Sequence, residues 1–411
     1  MTAETQPGTS PIQIGILEIN RHIPVLYSFI KILSTPETHI TIFTTPDLNK
    51  RLQTYLTGNE QLTIIMQKDK ESRSHFLKRV KTYTNTHLDV LLVNTIHEVM
   101  FHLLPFRHLN PQKKMILTIH HVNTWLKQKI VFKPFHLLMT IETNIASILI
   151  KTLILKNYDA LNVIYRPLKD YIETQTNYQK PVFTLPTSYY DPTTEFTTEQ
   201  KQPGTLKVII PGLIQEQRKD YTPILNALQI LPENYLKSLE ICIPGLPVER
   251  FGQQVHQQFK ALQQKGANII LFNEFVPDDL FDHLHKDSDI IICPIRIQTR
   301  SDNLTTEAYG STVGSGVIYN GIQYIKPLII PQEFNNLPEL ATSTLTYKNG
   351  EDLATIFKDL IDHPEKLKKL KTEAKHNAEK FSLHHLQQYV KHTLIPWITH
   401  THKTQKIKEK T

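Results

Sequence analysis

Short, nearly continuous apolar runs alternate with longer amphipathic stretches along most of this chain, and that alternation leaves few folds open to it. The first series reads IQIGILEI (12–19), HITIFTT (39–45), LTIIMQ (62–67), LDVLLVNT (88–95) and KMILTIHH (114–121). Stretches of helical length, such as SRSHFLKRVKTYTNT (72–86), lie between them. A further unit follows with YDALNVIY (158–165), PLKDYIETQ and PVFTLP. A strand that is apolar at successive positions is buried on both faces, which requires a parallel sheet covered by helices. Strand–helix alternation is the pattern of βαβ units, so the expected class is α/β.

The pattern lapses near Tyr190. The segment DPTTEFTTEQKQPG (191–204) holds one large apolar residue, two prolines and a glycine, which is linker composition. The alternation restarts with LKVIIPG (206–212) and runs through SLEICIPG, NIILFNEF, SDIIICPI, KPLIIP (326–331) and TLTYKN (344–349). At 411 residues the chain exceeds one comfortable core. We therefore expect two Rossmann-like parallel-sheet domains, over 10–190 and 206–385, a linker over 191–205 and a basic tail over 403–411. Ligands of open α/β sheets bind beyond the carboxyl ends of the strands, which places the expected site in a cleft between the two domains.

Composition narrows the function classes. Cys242 and Cys293 are the only cysteines, both inside apolar runs, so they read as buried free thiols, and a disulfide framework is excluded by count. No paired Cys/His spacing and no H-E-x-x-H points to a metal, and none is expected. The net charge of +7 permits anionic partners, but the basic residues are spread out and no focused nucleic-acid face is expected. The first residues lack a signal-peptide pattern and no run spans a membrane, so the expectation is cytoplasmic. The apolar stretch 131–157 reads as a helix packed across the first sheet, with an interfacial membrane helix as its alternative. Peripheral contact with the inner face of a membrane stays open on that ground.

The residues just past the strands carry the candidate chemistry. In the first domain Glu18 and His22 follow one strand, Asn94 and His97 another, and His120 and His121 a third. Facing one cleft, they would form an acceptor-binding wall with a possible acid or base. In the second domain Pro211-Gly212 ends the first strand, and Arg218 and Lys219 lead into a helix start, a setting suited to a diphosphate. A loop containing Gly310, Gly314, Ser315 and Gly316 is a second phosphate-cradle candidate, with Ser315 expected to cap the following helix. No G-x-G-x-x-G and no Walker lysine occur, which argues against dinucleotide binding and NTP hydrolysis.

Three segments in order carry a resemblance: IIPG followed by RKDY and NAL, FNEFVPDDLFDHLHKDSDIIICPI, and EAYGSTVGSGVIYNGIQYIKPLIIP. Together, over about 206–385, they resemble the nucleotide-binding half of GT-B glycosyltransferases, nearest the large retaining group often called family four. The first domain resembles the acceptor domain only in architecture and in its strand ends. The residues LHHLQQYVKHTLIPWI look like the family's C-terminal helix, expected over 386–402 and crossing back to the first domain.

The resemblance implies sugar transfer from a nucleotide-sugar of UDP or GDP type, without an obligatory metal or other cofactor, to a glycan, lipid-linked or small-molecule acceptor. Arg218 and Lys219 would neutralise the departing diphosphate, because the leaving group gains charge in the transition state. Gly212 would border the donor. Phe275, Val276 and Pro277 match the segment that reads the nucleobase. Glu307, with His120, falls among the catalytic candidates, and Gly314, Ser315 and Gly316 would face the diphosphate. Two glutamates usual in the family are Thr312 and Asn320 here; Asn320 would hydrogen-bond a ribose hydroxyl. Two rivals share the plan: a nucleotide-sugar epimerase and a catalytically silent partner subunit.

Overall fold

A computed structural model describes residues 10–58, 61–97, 100–127, 148–193, 204–300 and 305–400. Residues 131–147 of the apolar stretch, most of the linker and the basic tail lie outside the described residues. The chain forms two compact units. The first comprises Met1–Thr187, Asp302–Thr305 and Leu383–Thr411; the second comprises Ser188–Ser301 and Thr306–Ser382.

The first unit is built on seven parallel strands: β1 (Ile12–Leu17), β2 (Thr38–Thr44), β3 (Leu62–Met66), β4 (Val90–Val93), β5 (Lys114–Ile119), β6 (Ala160–Val163) and β7 (Val182–Thr184). Their order is β3-β2-β1-β4-β5-β6-β7. All four residues of β4 are buried, as a strand covered on both faces must be. The helix Ile23–Leu33 carries Pro24 in its first turn, where the missing N–H costs nothing, and buries Leu26, Phe29, Ile30 and Leu33 at helical spacing.

In the second unit β8 (Leu206–Ile209), β9 (Leu239–Ile243), β10 (Asn268–Leu271) and β11 (Ile290–Ile292) come first. A small antiparallel pair, β12 (Gln298–Arg300) and β13 (Thr306–Ala308), precedes β14 (Leu328–Pro331) and β15 (Thr344–Tyr347). The main sheet has six strands in the order β10-β9-β8-β11-β14-β15. Both sheets thus run outward from their first strand and restart on its other side, the doubly wound arrangement of Rossmann-like folds. The switch points lie between β1 and β4 and between β8 and β11.

Two elements differ from the sequence reading. The loop after β11 contains the β12–β13 hairpin, whose strand residues are mostly polar and partly exposed, so no apolar run announced it. The C-terminal segment is three pieces, Leu383–Tyr389, a π-helical turn at Val390–Leu394 and Ile395–Thr399. Pro396 lacks the N–H that an uninterrupted α-helix needs there. These pieces pack on the first unit: Gln387 Nε2 donates to the carbonyls of Lys31 at 3.1 Å and Ser34 at 2.8 Å, and Lys114 Nζ sits 4.7 Å from the Trp397 ring centre.

Candidate functional site

The chain leaves β8 through Ile210 and Pro211 to Gly212, whose φ of +90° suits glycine alone. The loop after β9 presses against this turn: a Cβ on Gly245 would lie 2.0 Å from the Gly212 carbonyl oxygen. Gly245→Ala is expected to lower the melting temperature by several degrees and to displace the Pro211–Gly212 turn, since backbone cannot yield as a side chain can. An unchanged melting curve would show that the turn tolerates the displacement.

From Gly212 the chain crosses to the end of β11. Lys219 pairs with Ile295 in an antiparallel bridge, Asp220 N–H donates to Pro294 O at 2.8 Å, and Arg296 N–H donates to Arg218 O at 3.0 Å. Alternation along this short ladder separates the two cations that the sequence reading grouped. Lys219 points inward, 6% exposed, and its ammonium donates to Pro211 O at 2.8 Å directly beneath Gly212. Burial pushes its pKa down to about 8, with the Cys293 thiol opposing and Arg218 adding to the shift. Arg218 points outward and is exposed. Lys219 is therefore a support under the turn, and Arg218 is the group open to a ligand.

The second cradle candidate lies at the start of the helix Gly316–Gln323. Ser315 stands at the N-cap of the helix Gly316–Gln323, but its hydroxyl makes no capping bond, a correction to the expected role. The first N–H groups of any helix lack intrahelical acceptors; here Ile318 N–H donates to Ser315 O at 3.2 Å, while those of Gly316 and Val317 have no acceptor among the described residues. Gly316 is exposed and a Cβ there would meet open space, while Gly314 is half-buried. Gly310 serves the fold instead: at φ +82° its Cα faces the Asn335 backbone, 2.7 Å from an added Cβ.

Other expected donor residues are placed less directly. Glu307 lies on β13, fully buried, opposite Thr299. Thr312, also buried, accepts from Ala308 N–H at 2.8 Å. Asn320 Nδ2 donates to His285 Nε2 at 3.3 Å, and His285 in turn donates through Nδ1 to Phe281 O at 2.8 Å. Burial holds the His285 pKa down near 4, so the ring is neutral and Asn320 braces it. Phe275 is 74% exposed, Val276 is buried and Pro277 stands at the N-cap of Asp278–Asp287.

In the first unit the switch point brings expected residues together. Glu18, just past β1, and Asn94, just past β4, are both fully buried, and Asn94 Nδ2 donates to Glu18 Oε2 at 2.7 Å. The Asn20 amide donates to Glu18 Oε1 at 2.6 Å. Burial raises the Glu18 pKa to about 7, against the lowering effect of these bonds. Past β5, His120 stacks on His22 with ring centres 5.0 Å apart. Burial, then the neighbouring His22 and His121, pushes the His120 pKa down to about 3. His120 is thus a neutral imidazole near pH 7. Its Nε2 and the Asn94 Oδ1 are buried without hydrogen-bond partners among the described residues. His121 is half-buried at the start of Val122–Leu126, whereas His97 is exposed beside His102, ring centres 4.9 Å apart.

Among the described residues no group of three His, Cys, Asp or Glu side chains is placed to hold a metal ion, and no helix is long and apolar enough to cross a membrane. Cys242 and Cys293 are buried and free.

Known structures share this architecture. The chain is similar to HepE of Anabaena, solved in complex with UDP-glucose, at 12% identity and a TM-score of 0.59, covering 94% of this chain and 100% of that one. It is similar to sucrose-phosphate synthase from Thermosynechococcus elongatus at 13% identity and a TM-score of 0.59, covering 95% and 100%. A UDP-N-acetylglucosamine 2-epimerase aligns at 11% identity and a TM-score of 0.53, covering 97% and 99%. No family model and no curated sequence matches the chain. The structural likeness establishes the fold: two Rossmann-like domains of the GT-B type.

Proposed function

We propose that the chain is a glycosyltransferase that moves a sugar from a nucleotide-sugar to an acceptor hydroxyl. The observation that carries this reading is the second unit's switch point. There Arg218 stands exposed at the carboxyl edge of β8 and β11, over a turn supported by the buried Lys219 ammonium. The bond from the anomeric carbon to the diphosphate breaks as the acceptor oxygen bonds to that carbon; the diphosphate leaves with the electron pair, and so with added negative charge, and the hydroxyl proton passes to solvent. Arg218 stabilises that charge from a fixed position, supported by Lys219 and by the free N–H groups at Gly316. Phe275 and Val276–Pro277 border the nucleobase, with UDP the favoured donor type by likeness to HepE in its UDP-glucose complex. The acceptor hydroxyl belongs to the first unit, where Asn94 Oδ1 and His120 Nε2 have hydrogen-bonding capacity to spare. Retention of configuration, independence of metal and the absence of any resident cofactor complete the proposal.

Peripheral membrane contact, with a lipid-linked acceptor, is its outermost part; the exposed Leu149 and Leu153, one helical turn apart, support it.

Calorimetric titration tests the reading. UDP or GDP should bind the intact protein with micromolar affinity; heats indistinguishable from dilution for both nucleotides would remove it. The likeness to 2-epimerases favours one alternative, epimerisation of the nucleotide-sugar. Incubating the donor with no acceptor separates the two, because an epimerase converts it and a transferase leaves its sugar configuration unchanged.

A further inference from the structure

Arg296 lies one residue past the segment FNEFVPDDLFDHLHKDSDIIICPI. The ladder beyond the switch point gives it a place. Lys219 and Ile295 form the bridge, and both point into the unit, 6% and 4% exposed. One residue on from that isolated bridge, Arg218, at the end of a turn, lies opposite Arg296, joined by the Arg296 N–H to Arg218 O bond of 3.0 Å. Opposed residues of an antiparallel pair put their side chains on the same face, with Cβ atoms about 5 Å apart. On that register the two side chains share one face of the bridge, Arg218 exposed and Arg296 half-buried.

Like charges directly opposed on a ladder destabilise it unless something neutralises them. Nothing in the described chain does so. Neither Arg218 nor Arg296 has a side-chain hydrogen bond or a carboxylate partner among the described residues, and Arg296 Nε is buried without a partner. Tyr309 shares this neighbourhood: burial raises its phenol pKa and the nearby Arg218 charge works against that rise. An uncompensated pair of planar, always-charged donors at a strand-end crevice is a receptor for a dianion with oxygens spread over two centres. Guanidinium forks match phosphoryl oxygens in bidentate fashion.

We infer that Arg218 and Arg296 form a two-armed clamp for the diphosphate of a nucleoside diphosphate, with Arg296 as its second arm. This rests on the donor-site reading above and adds a residue to it. The clamp grips two phosphoryl groups at once, so it discriminates a nucleoside diphosphate from a monophosphate. Lys219, on the opposite face of the ladder, does not share in the grip and acts through the turn it supports.

The test is calorimetry of UDP, UMP and inorganic pyrophosphate with wild type, Arg296→Gln and Arg218→Gln, alongside thermal melting without ligand. Each substitution should weaken UDP and pyrophosphate about 10- to 100-fold, the loss typical of one charge-assisted contact, and should weaken UMP less. The unliganded melting temperature should hold or rise, because one of two like charges is gone. If Arg296→Gln binds UDP and pyrophosphate as wild type does, the clamp is refuted while the donor site stands. Weakened binding that comes with a matching fall in the unliganded melting temperature also refutes it, since Arg296 would then be structural. If wild type binds pyrophosphate in an Arg296-dependent way but binds neither UDP nor GDP, the clamp stands and the glycosyltransferase reading falls. If wild type binds none of UDP, GDP, UMP and pyrophosphate, both fall.

Discussion

Arg218→Ala is expected to lower sugar transfer by about 10²- to 10³-fold, the typical cost of deleting one preorganised group that meets developing charge. The fold should be indifferent. Arg218 is exposed and its side chain has no protein partner among the described residues, so its melting temperature should move by no more than that of an ordinary surface change. Lys219→Ala should behave differently although the residue is adjacent. It removes a buried donor to Pro211 O and leaves a void under Gly212, at a cost of about 1–3 kcal/mol of stability. A rate assay and a melting curve on the two variants separate the roles. Equal melting temperatures and equal rate losses would mean that both lysine and arginine meet the ligand directly.

Glu18→Gln is expected to stabilise the protein, and more so as the pH rises. The buried Glu18 carboxyl has its pKa raised from the ordinary 4.5 to about 7. Between those values the native state holds a proton that the unfolded state has lost, so wild-type stability falls as pH rises through this window. The full shift corresponds to about 3 kcal/mol, lost by pH 8 and absent at pH 4. Glutamine carries no charge at any pH, and its oxygen still accepts one of the two hydrogen bonds that Glu18 receives from Asn20 and Asn94. Urea unfolding at pH 5 and pH 8 should show the gap between variant and wild type widening with pH. Parallel pH profiles would mean that Glu18 titrates normally in the native protein.

The fold was legible because its signal is redundant. The strands β1, β2, β4, β5, β8, β9, β11 and β14 are each an apolar run, and burial on both faces leaves no other reading. The strand order could not be read from those runs, since every one of them satisfies any central position equally well. The order matters for the site. It is what turns Glu18 and Asn94 from two strand-end residues into a hydrogen-bonded pair, and what sets Arg296 opposite Arg218. Strand-end position points to the switch point of each sheet. It does not say which way a side chain points: Lys219 and Arg218 are neighbours in sequence, yet Lys219 is turned inward. Gly310 and Asn320 show the same limit: each lies in a segment that resembles a donor site, yet one makes room for the Asn335 backbone and the other bonds His285. Arg296 stands alone after an apolar run, and such an arginine carries no signal until its partner across the bridge is known.

A crystal structure of the protein grown with UDP tests the central claim most directly. The diphosphate should lie against the Arg218 guanidinium and the N-terminus of Gly316–Gln323, with the uracil ring beside Phe275–Pro277. UDP bound away from the carboxyl ends of β8 and β11, with Arg218 left in solvent, would contradict it.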